Sequence, residues 1–457
     1  MNRTQLGALV VATAASFLTP FMSSSINIAL PTIGAQFAAD AVTLSWVATS
    51  YLLAAAMFLV PFGRLADIKG RRRVFIAGLV VYTIASLLCA VSGTIELLIV
   101  MRVLQGIGGS MIFGTGVAIL VSVFPPNEKG KVLGFNVAAV YIGLSLGPTV
   151  GGVMTKNFGW RSIFLVNIPV GLVAFVLAVT MLDREWADAR GERFDIVGSI
   201  LYGGMLALLM YGLSVFPDGN LFIVGGVVLL IVFAAWELKN QSPVLDIHLF
   251  VENRTYAFSN LAALLNYAAT FGVGFLMSLF MQYVMGMDSQ EAGLVLVFQP
   301  LFQALFSPLA GRLSDRIQPA IVASVGMALT SLSLFFFSLI DSQTTVLSVA
   351  VNLVLLGTSL ALFSSPNVNA VMSSVSRDCF GVASATVSTM RLIGQMSSMA
   401  AITLVFNLII GRVEITPAVT PALIVSTQII FLAFSALCFV GTIASAVRGN
   451  IIREKEC

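Results

Sequence analysis

The sequence predicts an all-α membrane protein with fourteen transmembrane helices, arranged as two six-helix bundles in parallel repeat plus two inserted helices. Three observations predict it. Of 457 residues, 58% are apolar and only 10% are charged, against roughly 45–50% and about 25% in an ordinary soluble domain. Mean hydropathy is +0.98 over the whole chain, which leaves no room for a sizeable soluble domain. The apolar residues gather in fourteen stretches of roughly the 20 residues a span needs, and landmarks of the first six recur in the last six. A soluble enzyme, a nucleic-acid binder and a secreted scaffold are excluded.

In order, the stretches run over 7–31, 44–63, 73–92, 96–124, 132–155, 162–182, 196–215, 221–237, 257–287, 291–311, 319–340, 345–372, 380–411 and 422–447, as spans 1 to 14. Charged or Pro/Gly-rich breaks end each of them. Span 1 is too long for a cleaved signal peptide and continues through Asn27 and Pro31 toward the next span. Lys and Arg placement sets the orientation. With the N-terminus in the cytoplasm, nineteen of the 24 basic residues fall in inside segments and three, Lys156, Arg161 and Arg412, fall outside. Arg102 and Arg391 lie within spans. Both termini are therefore expected in the cytoplasm, with the chain in the plasma (inner) membrane of a prokaryote.

The single histidine, His248, sits in a polar stretch, and Cys89, Cys379, Cys438 and Cys457 are widely spaced. No metal, haem or iron–sulfur constellation can be built from them, and no cofactor is expected. A phosphate-binding Gly-x-x-x-x-Gly-Lys-Ser/Thr loop is missing as well.

An internal repeat organises the chain. Gly63-Arg64-Leu65-Ala66-Asp67 ends span 2, and Gly311-Arg312-Leu313-Ser314-Asp315 ends span 10, 248 residues later; Gly78 matches Gly326 at the same offset. Further on the offset is 251, pairing Gly106 with Gly357, Gly130 with Gly381 and Gly143 with Gly394. The expected units are an N-terminal bundle over 1–182, a two-helix insert with its loops over 183–256 and a C-terminal bundle over 257–457. Parallel six-span repeats are the layout of a transporter built from two rocking halves.

The stretch Gly63 to Arg73 reads Gly-Arg-Leu-Ala-Asp-Ile-Lys-Gly-Arg-Arg-Arg. A topology-setting turn accounts for the basic run but not for an Asp at a fixed place that recurs in the second half. A carboxylate at a helix end can accept backbone N–H bonds from a neighbouring helix, and glycines let the loop turn tightly. Gly63, Asp67, Gly70, Arg71, Arg72 and Asp315 are the candidate conformational latch. In span 5, Gly143, Gly147 and Gly151 are four apart and line one helix face. Small residues there let another helix come close, and Pro148 removes a helix hydrogen bond and bends the span.

The Gly63–Arg73 stretch resembles the loop signature of the major facilitator superfamily. Arg102-Val103-Leu104-Gln105-Gly106 is similar to its buried-arginine motif. Gly143-x-x-x-Gly147-Pro148-x-x-Gly151-Gly152 resembles the motif of its antiporters. Asn27-Ile28-Ala29-Leu30-Pro31 with Trp46 and Tyr51, and Phe158-Gly159-Trp160-Arg161 through Asn167-Ile168-Pro169-Val170-Gly171, resemble the fourteen-span drug–proton antiporters. The resemblance covers the whole chain. It implies a major facilitator fold and proton-coupled efflux of amphipathic small molecules or drugs, with protons as coupling ion and the bilayer as surroundings. Nucleic acid is not expected as a partner, and a monomer is. Three departures stand out. Met22 occupies the place where these antiporters carry an Asp in span 1, Ile68 follows Asp67 where a basic residue is usual, and the second-half copy continues Ile317-Gln318-Pro319 without the basic run.

None of the 21 acidic residues lies near mid-span, which sits poorly with a titrating carboxylate in the cavity. Arg102 lies about 10 Å into span 4, and Arg391 about 16 Å into span 13, near the midplane. The first reads as a structural arginine; the second is either a substrate contact or structural. Asn27, Tyr51, Asn136, Gln282, Gln299, Asn367 and Arg391 are the candidate substrate cavity, although polar residues in spans more often bond other helices. The alternative function is an exporter or facilitator of a neutral or anionic metabolite without standard proton coupling. A transporter-like sensor would need a regulatory tail, and an intramembrane enzyme would need a nucleophile–base or metal group at span depth.

Overall fold

The computed structural model describes residues 3–240, 244–245, 248–375 and 380–449. Among these described residues, fourteen helices are long and apolar enough to cross a membrane: Thr4–Phe37, Ala41–Lys69, Arg71–Ala90, Ile95–Val123, Val132–Phe158, Arg161–Met181, Ile196–Ser214, Asn220–Glu237, Arg254–Val284, Ser289–Ser314, Pro319–Phe337, Val346–Ser373, Val382–Ile409 and Thr420–Val447. These are spans 1 to 14. Short polar residues set where several begin. Asp40 caps span 2 through the N–H groups of Val42 and Thr43, both at 3.0 Å. Asp195 caps span 7 through Gly198 N at 2.8 Å, and Asp288 and Glu291 form a capping box on span 10. Asp40 thereby satisfies helix N–H groups that would otherwise be orphaned.

The repeat is visible in the packing. In the first half, span 1 packs on spans 5 and 6, span 4 on spans 2 and 3, and span 3 on span 6. In the second half, span 9 packs on spans 13 and 14, span 12 on spans 10 and 11, and span 11 on span 14. The repeated pairs Gly106 with Gly357 and Gly143 with Gly394 make equivalent contacts. A Cβ on Gly106 would strike the carbonyl of Tyr51 in span 2, and one on Gly357 the carbonyl of Gln299 in span 10. Gly143 likewise meets Phe17 of span 1, and Gly394 meets Leu264 of span 9. Each pair lets two backbones approach where a side chain would hold them apart. The two halves meet by the same rule, span 2 against span 13 and span 5 against span 10.

The insert lies over one of these seams. Span 7 packs against span 2 of the first half and span 13 of the second, and span 8 packs on span 7. Tyr202, Met205, Leu206 and Met210 join Ala55, Ala56, Leu59, Leu392 and Met396 in one apolar cluster. Tyr202 Oη donates to Ala56 O at 3.1 Å, and Asn407 Nδ2 to Phe216 O at 2.6 Å. Span 8 keeps Leu221, Val224, Val228 and Ile231 exposed, as a lipid-facing helix does.

Candidate functional site: the interface between the halves

Direct hydrogen bonds between the halves gather at the end away from the termini. Ser278 Oγ donates to Asn27 O at 2.7 Å, Gln282 Nε2 to Ile28 O at 3.1 Å, and Ser289 Oγ to Gly152 O at 3.1 Å. Ser45 and Thr403 share a hydrogen bond at 2.9 Å, and Ala41 N donates to Val413 O at 3.1 Å. Lys156 Nζ reaches Asp288 Oδ2 at 2.7 Å. That lysine, followed by the N–H groups of Glu291 and Gln290, holds the Asp288 carboxyl below the usual range. The main-chain carbonyl of Asn27 and the side chain of Gln282, two residues expected in the cavity, thus belong to this closure, while Asn27 Oδ1 is buried without a partner. Nearer mid-membrane, Tyr141 and Ser307 oxygens are 3.4 Å apart.

The span 5 motif has two working faces. Gly143, Gly147 and Gly151 lie against Phe17, Phe21, Ser24 and Ser25 of span 1, inside the first half, as the four-residue spacing predicts. Pro148 and Gly152 face the other half. A Cβ on Gly152 would strike Ser289 O, and one on Gly293 would strike Pro148 O. One helix therefore fixes a bundle with one stripe and closes the far end with the next.

The Asp67 loop is held differently from its sequence expectation. Asp67 accepts from Arg71 Nε at 2.8 Å and pairs with Arg71 Nη2 at 2.7 Å, within its own half. No cross-half partner of Asp67 occurs among the described residues. Its covering comes from the chain after span 6. Arg71 N donates to Trp186 O at 2.8 Å and Ala189 N to Asp67 O at 3.0 Å. Arg71 pairs with Asp188 at 2.8 Å, Arg72 N donates to Glu185 Oε1 at 2.8 Å, and Arg64 pairs with Glu192. Gly70 has φ of +118° and abuts the Glu185 carboxyl, so only glycine suits the turn. Exposed pairs contribute about 0.2–1 kcal/mol each, so the strap holds collectively. Five acids between Asp183 and Asp195, beside a run of three arginines in the loop, were the signal for it. A Cβ on Gly63 would meet nothing within 4 Å, and the side chain of Asp315 lies outside what the structure describes.

Arg102 is buried in a hydrogen-bonded cluster of the first half. It is 1% exposed, donates to Val47 O at 3.0 Å and Gln105 Oε1 at 2.5 Å, and lies 4.5 Å from the Tyr51 ring centre. Gln105 passes the bond on to Ser86 Oγ at 2.8 Å. Tyr51, expected in the cavity, is therefore buried as the platform of this cluster. Asn367 is a second correction. It is 2% exposed, donates to Ser259 O at 3.1 Å and accepts from Arg448 Nη1 at 2.8 Å, inside the second half. Arg448, counted from sequence among the cytoplasmic charges, is itself 1% exposed and also bonds Ala320 O and Ser445 Oγ. Met22, at the position of the missing Asp, is fully buried, with its sulfur accepting from Asn167 Nδ2 at 3.1 Å. That residue faces span 6 rather than the other half.

Arg391 is a within-span charge that reaches across to the other half. Half-buried on span 13, its guanidinium lies 5.5 Å from the ring centre of Phe113 on span 4. Gln299 is half-buried and donates to Gln303 at 3.1 Å, while Asn136 is buried with Oδ1 unpartnered.

A family model described as Major Facilitator Superfamily matches residues 12–394 and, overlapping, 259–451. The chain belongs to the Major Facilitator Superfamily. Its second match begins in span 9, where the structural repeat begins. Among curated relatives, the riboflavin transporter RibZ of Clostridioides difficile is 30% identical over 438 residues, covering 95% of each chain. The multidrug resistance protein Stp of Mycobacterium tuberculosis is 31% identical over 410 residues, covering 88% of this chain and 76% of that one. A solved bacterial homologue of the human lysosomal transporter Spinster, inward-facing and unoccupied, superposes with a TM-score of 0.70 at 15% identity over 98% of this chain and 97% of that one. The last likeness concerns the fold alone. A multi-pass membrane transporter with this superfamily's fold is the result.

Proposed function

We propose that this transporter exports amphipathic small molecules by alternating access, in exchange for protons, and prefers neutral or anionic molecules to cations. The carrying observation is the mid-depth interface, where Arg391 of one half meets Phe113 of the other and no span supplies a carboxylate. Cation and ring together suit an amphiphile with an aromatic body and an acidic or neutral polar edge. Relatives named for riboflavin transport and multidrug resistance support small planar or amphipathic cargo, and the span 5 motif supports efflux. Taking the Lys/Arg-rich end as cytoplasmic, the hydrogen-bonded end faces outward, so the conformation is closed to the outside. The deciding experiment is a panel of anionic, neutral and cationic dyes in everted vesicles, with and without a proton gradient. Gradient-driven uptake of the first two classes is expected; uptake indifferent to the gradient would leave a facilitator.

The Asp67 loop is the latch of this cycle, working through its strap. Asp67 orients Arg71, and Arg71 holds Asp188 of the chain that leads into the insert. Asp67→Asn should leave the protein folded and inserted and slow dye transport at least about tenfold, which corresponds to 1.4 kcal/mol. Wild-type rates in that variant would remove the loop from the mechanism.

A further inference from the structure

We propose that the buried carboxyl pair Asp195 and Glu237, where the two insert helices meet at the end carrying the termini, is a proton-binding site. Asp195 begins span 7 and Glu237 ends span 8, and they are 8% and 1% exposed. Asp195 accepts from Gly198 N at 2.8 Å, Trp236 Nε1 at 3.0 Å and Asn240 Nδ2 at 2.6 Å. Glu237 Oε2 accepts from Leu245 N at 3.0 Å, whereas its Oε1 is buried without a partner. That free oxygen is aimed at Asp195. A Cβ placed on Gly198 would strike both Glu237 Oε1 and Asp195 Oδ2, so the two converge on one point.

No cation answers them. Among the described residues no ion pair reaches either carboxylate. Arg190, Arg193 and Lys239, the nearest basic residues along the chain, are exposed. On span 2, Arg64 pairs with Glu192 and Lys69 is exposed. On span 13, Arg391 lies over Phe113. Span 7 carries no charged residue, and Asp246 lies outside the described residues. Every recorded donor to the pair is neutral. Two adjacent buried carboxylates without a cation resist joint ionisation. One proton on Glu237 Oε1, donated to Asp195 Oδ2, removes the repulsion and satisfies the orphan oxygen at once. The pair shares that one proton. It is joined while protonated and, as pH rises and the proton leaves, two negative charges push the bases of spans 7 and 8 apart.

The site is wired to the latch by covalent continuity. The strap that holds Arg71 through Asp188 and Arg64 through Glu192 runs directly into Asp195. A role in exchange rests on the proton-coupled reading above; the existence of the site does not. Infrared difference spectra of purified, reconstituted protein, titrated from the acid to the alkaline side of neutrality, test it without any transport. A protonated-carboxyl band should bleach as pH rises, be missing from Glu237→Gln, and titrate at a displaced pH in Asp195→Asn. An unchanged band in Glu237→Gln, or a band answering to sodium rather than pH, would overturn the assignment. Dye efflux by Glu237→Gln separates the two claims, because glutamine can still donate to Asp195 and keep the joint closed. Loss of its response to the proton gradient supports the coupling role. A native response with the infrared band abolished keeps the site and removes that role.

Discussion

Valine at Gly152 or Gly293 is expected to cut transport at least tenfold while leaving the protein inserted and folded. The two glycines stack across the interface, one against Ser289 O and the other against Pro148 O. Both obstacles are backbone, so no rotamer can relieve the clash. The contacts exist only while the far end is closed, because separating the halves removes them. Added methyl groups therefore penalise one state of the cycle. Overpacking a tight contact costs about 1–3 kcal/mol, and a 1.4 kcal/mol bias is a tenfold population shift. Thiol labelling of a cysteine at Gln282, in a background without the native cysteines, should rise in parallel as the far end opens. Gly143→Val is the control. Its obstacle, Phe17 O, belongs to the same half and is present in every state. That change should lower thermal stability and yield rather than shift labelling. Native transport and labelling in Gly152→Val would show that the span 5 stripe has no part in closure.

The fold was legible because its signals are one-dimensional. Hydropathy over about 20 residues marks a span wherever the helix packs, and the repeat offsets fix which spans correspond. Facing directions were not legible. A helix that is apolar all round carries no periodicity to say which side meets lipid, partner helix or cavity. Tyr51 and Asn367 therefore looked like cavity residues, and the structure gives each to a buried arginine of its own half. Arg448 and Asp195 passed for solvated loop charges because burial at a helix end depends on neighbours remote in sequence. The glycines were the exception. Spacing alone placed Gly143, Gly147 and Gly151 on one face, and it could do so because a missing side chain matters only where another backbone comes close. What spacing could not supply was the adjacent face of the same helix, where Pro148 and Gly152 meet the other half.

Arg391→Ala is expected to raise the transport of lipophilic monovalent cations relative to anions by at least about tenfold. The guanidinium faces Phe113 across the interface, with no carboxylate paired to it among the described residues. A cationic ligand brought to about 4 Å meets a repulsion of roughly 4 kcal/mol at an effective dielectric near 20, falling to about 1 kcal/mol in bulk water. Those limits correspond to about three orders of magnitude and about fivefold in binding. A half-buried arginine lies between them. Competition between a cationic and an anionic dye in everted vesicles measures the ratio. The native protein should favour the anion, and Arg391→Lys should keep most of that preference, since a charge rather than a fork is at work. Efficient cation transport by the native protein, unaltered in Arg391→Ala, would make Arg391 structural. Met22→Asp is not the converse experiment. Its side chain would be buried in the first half against Asn167, so the change should lower thermal stability without recruiting cations. The charge that selects substrate is thus expected on span 13, in the second half, and not on span 1.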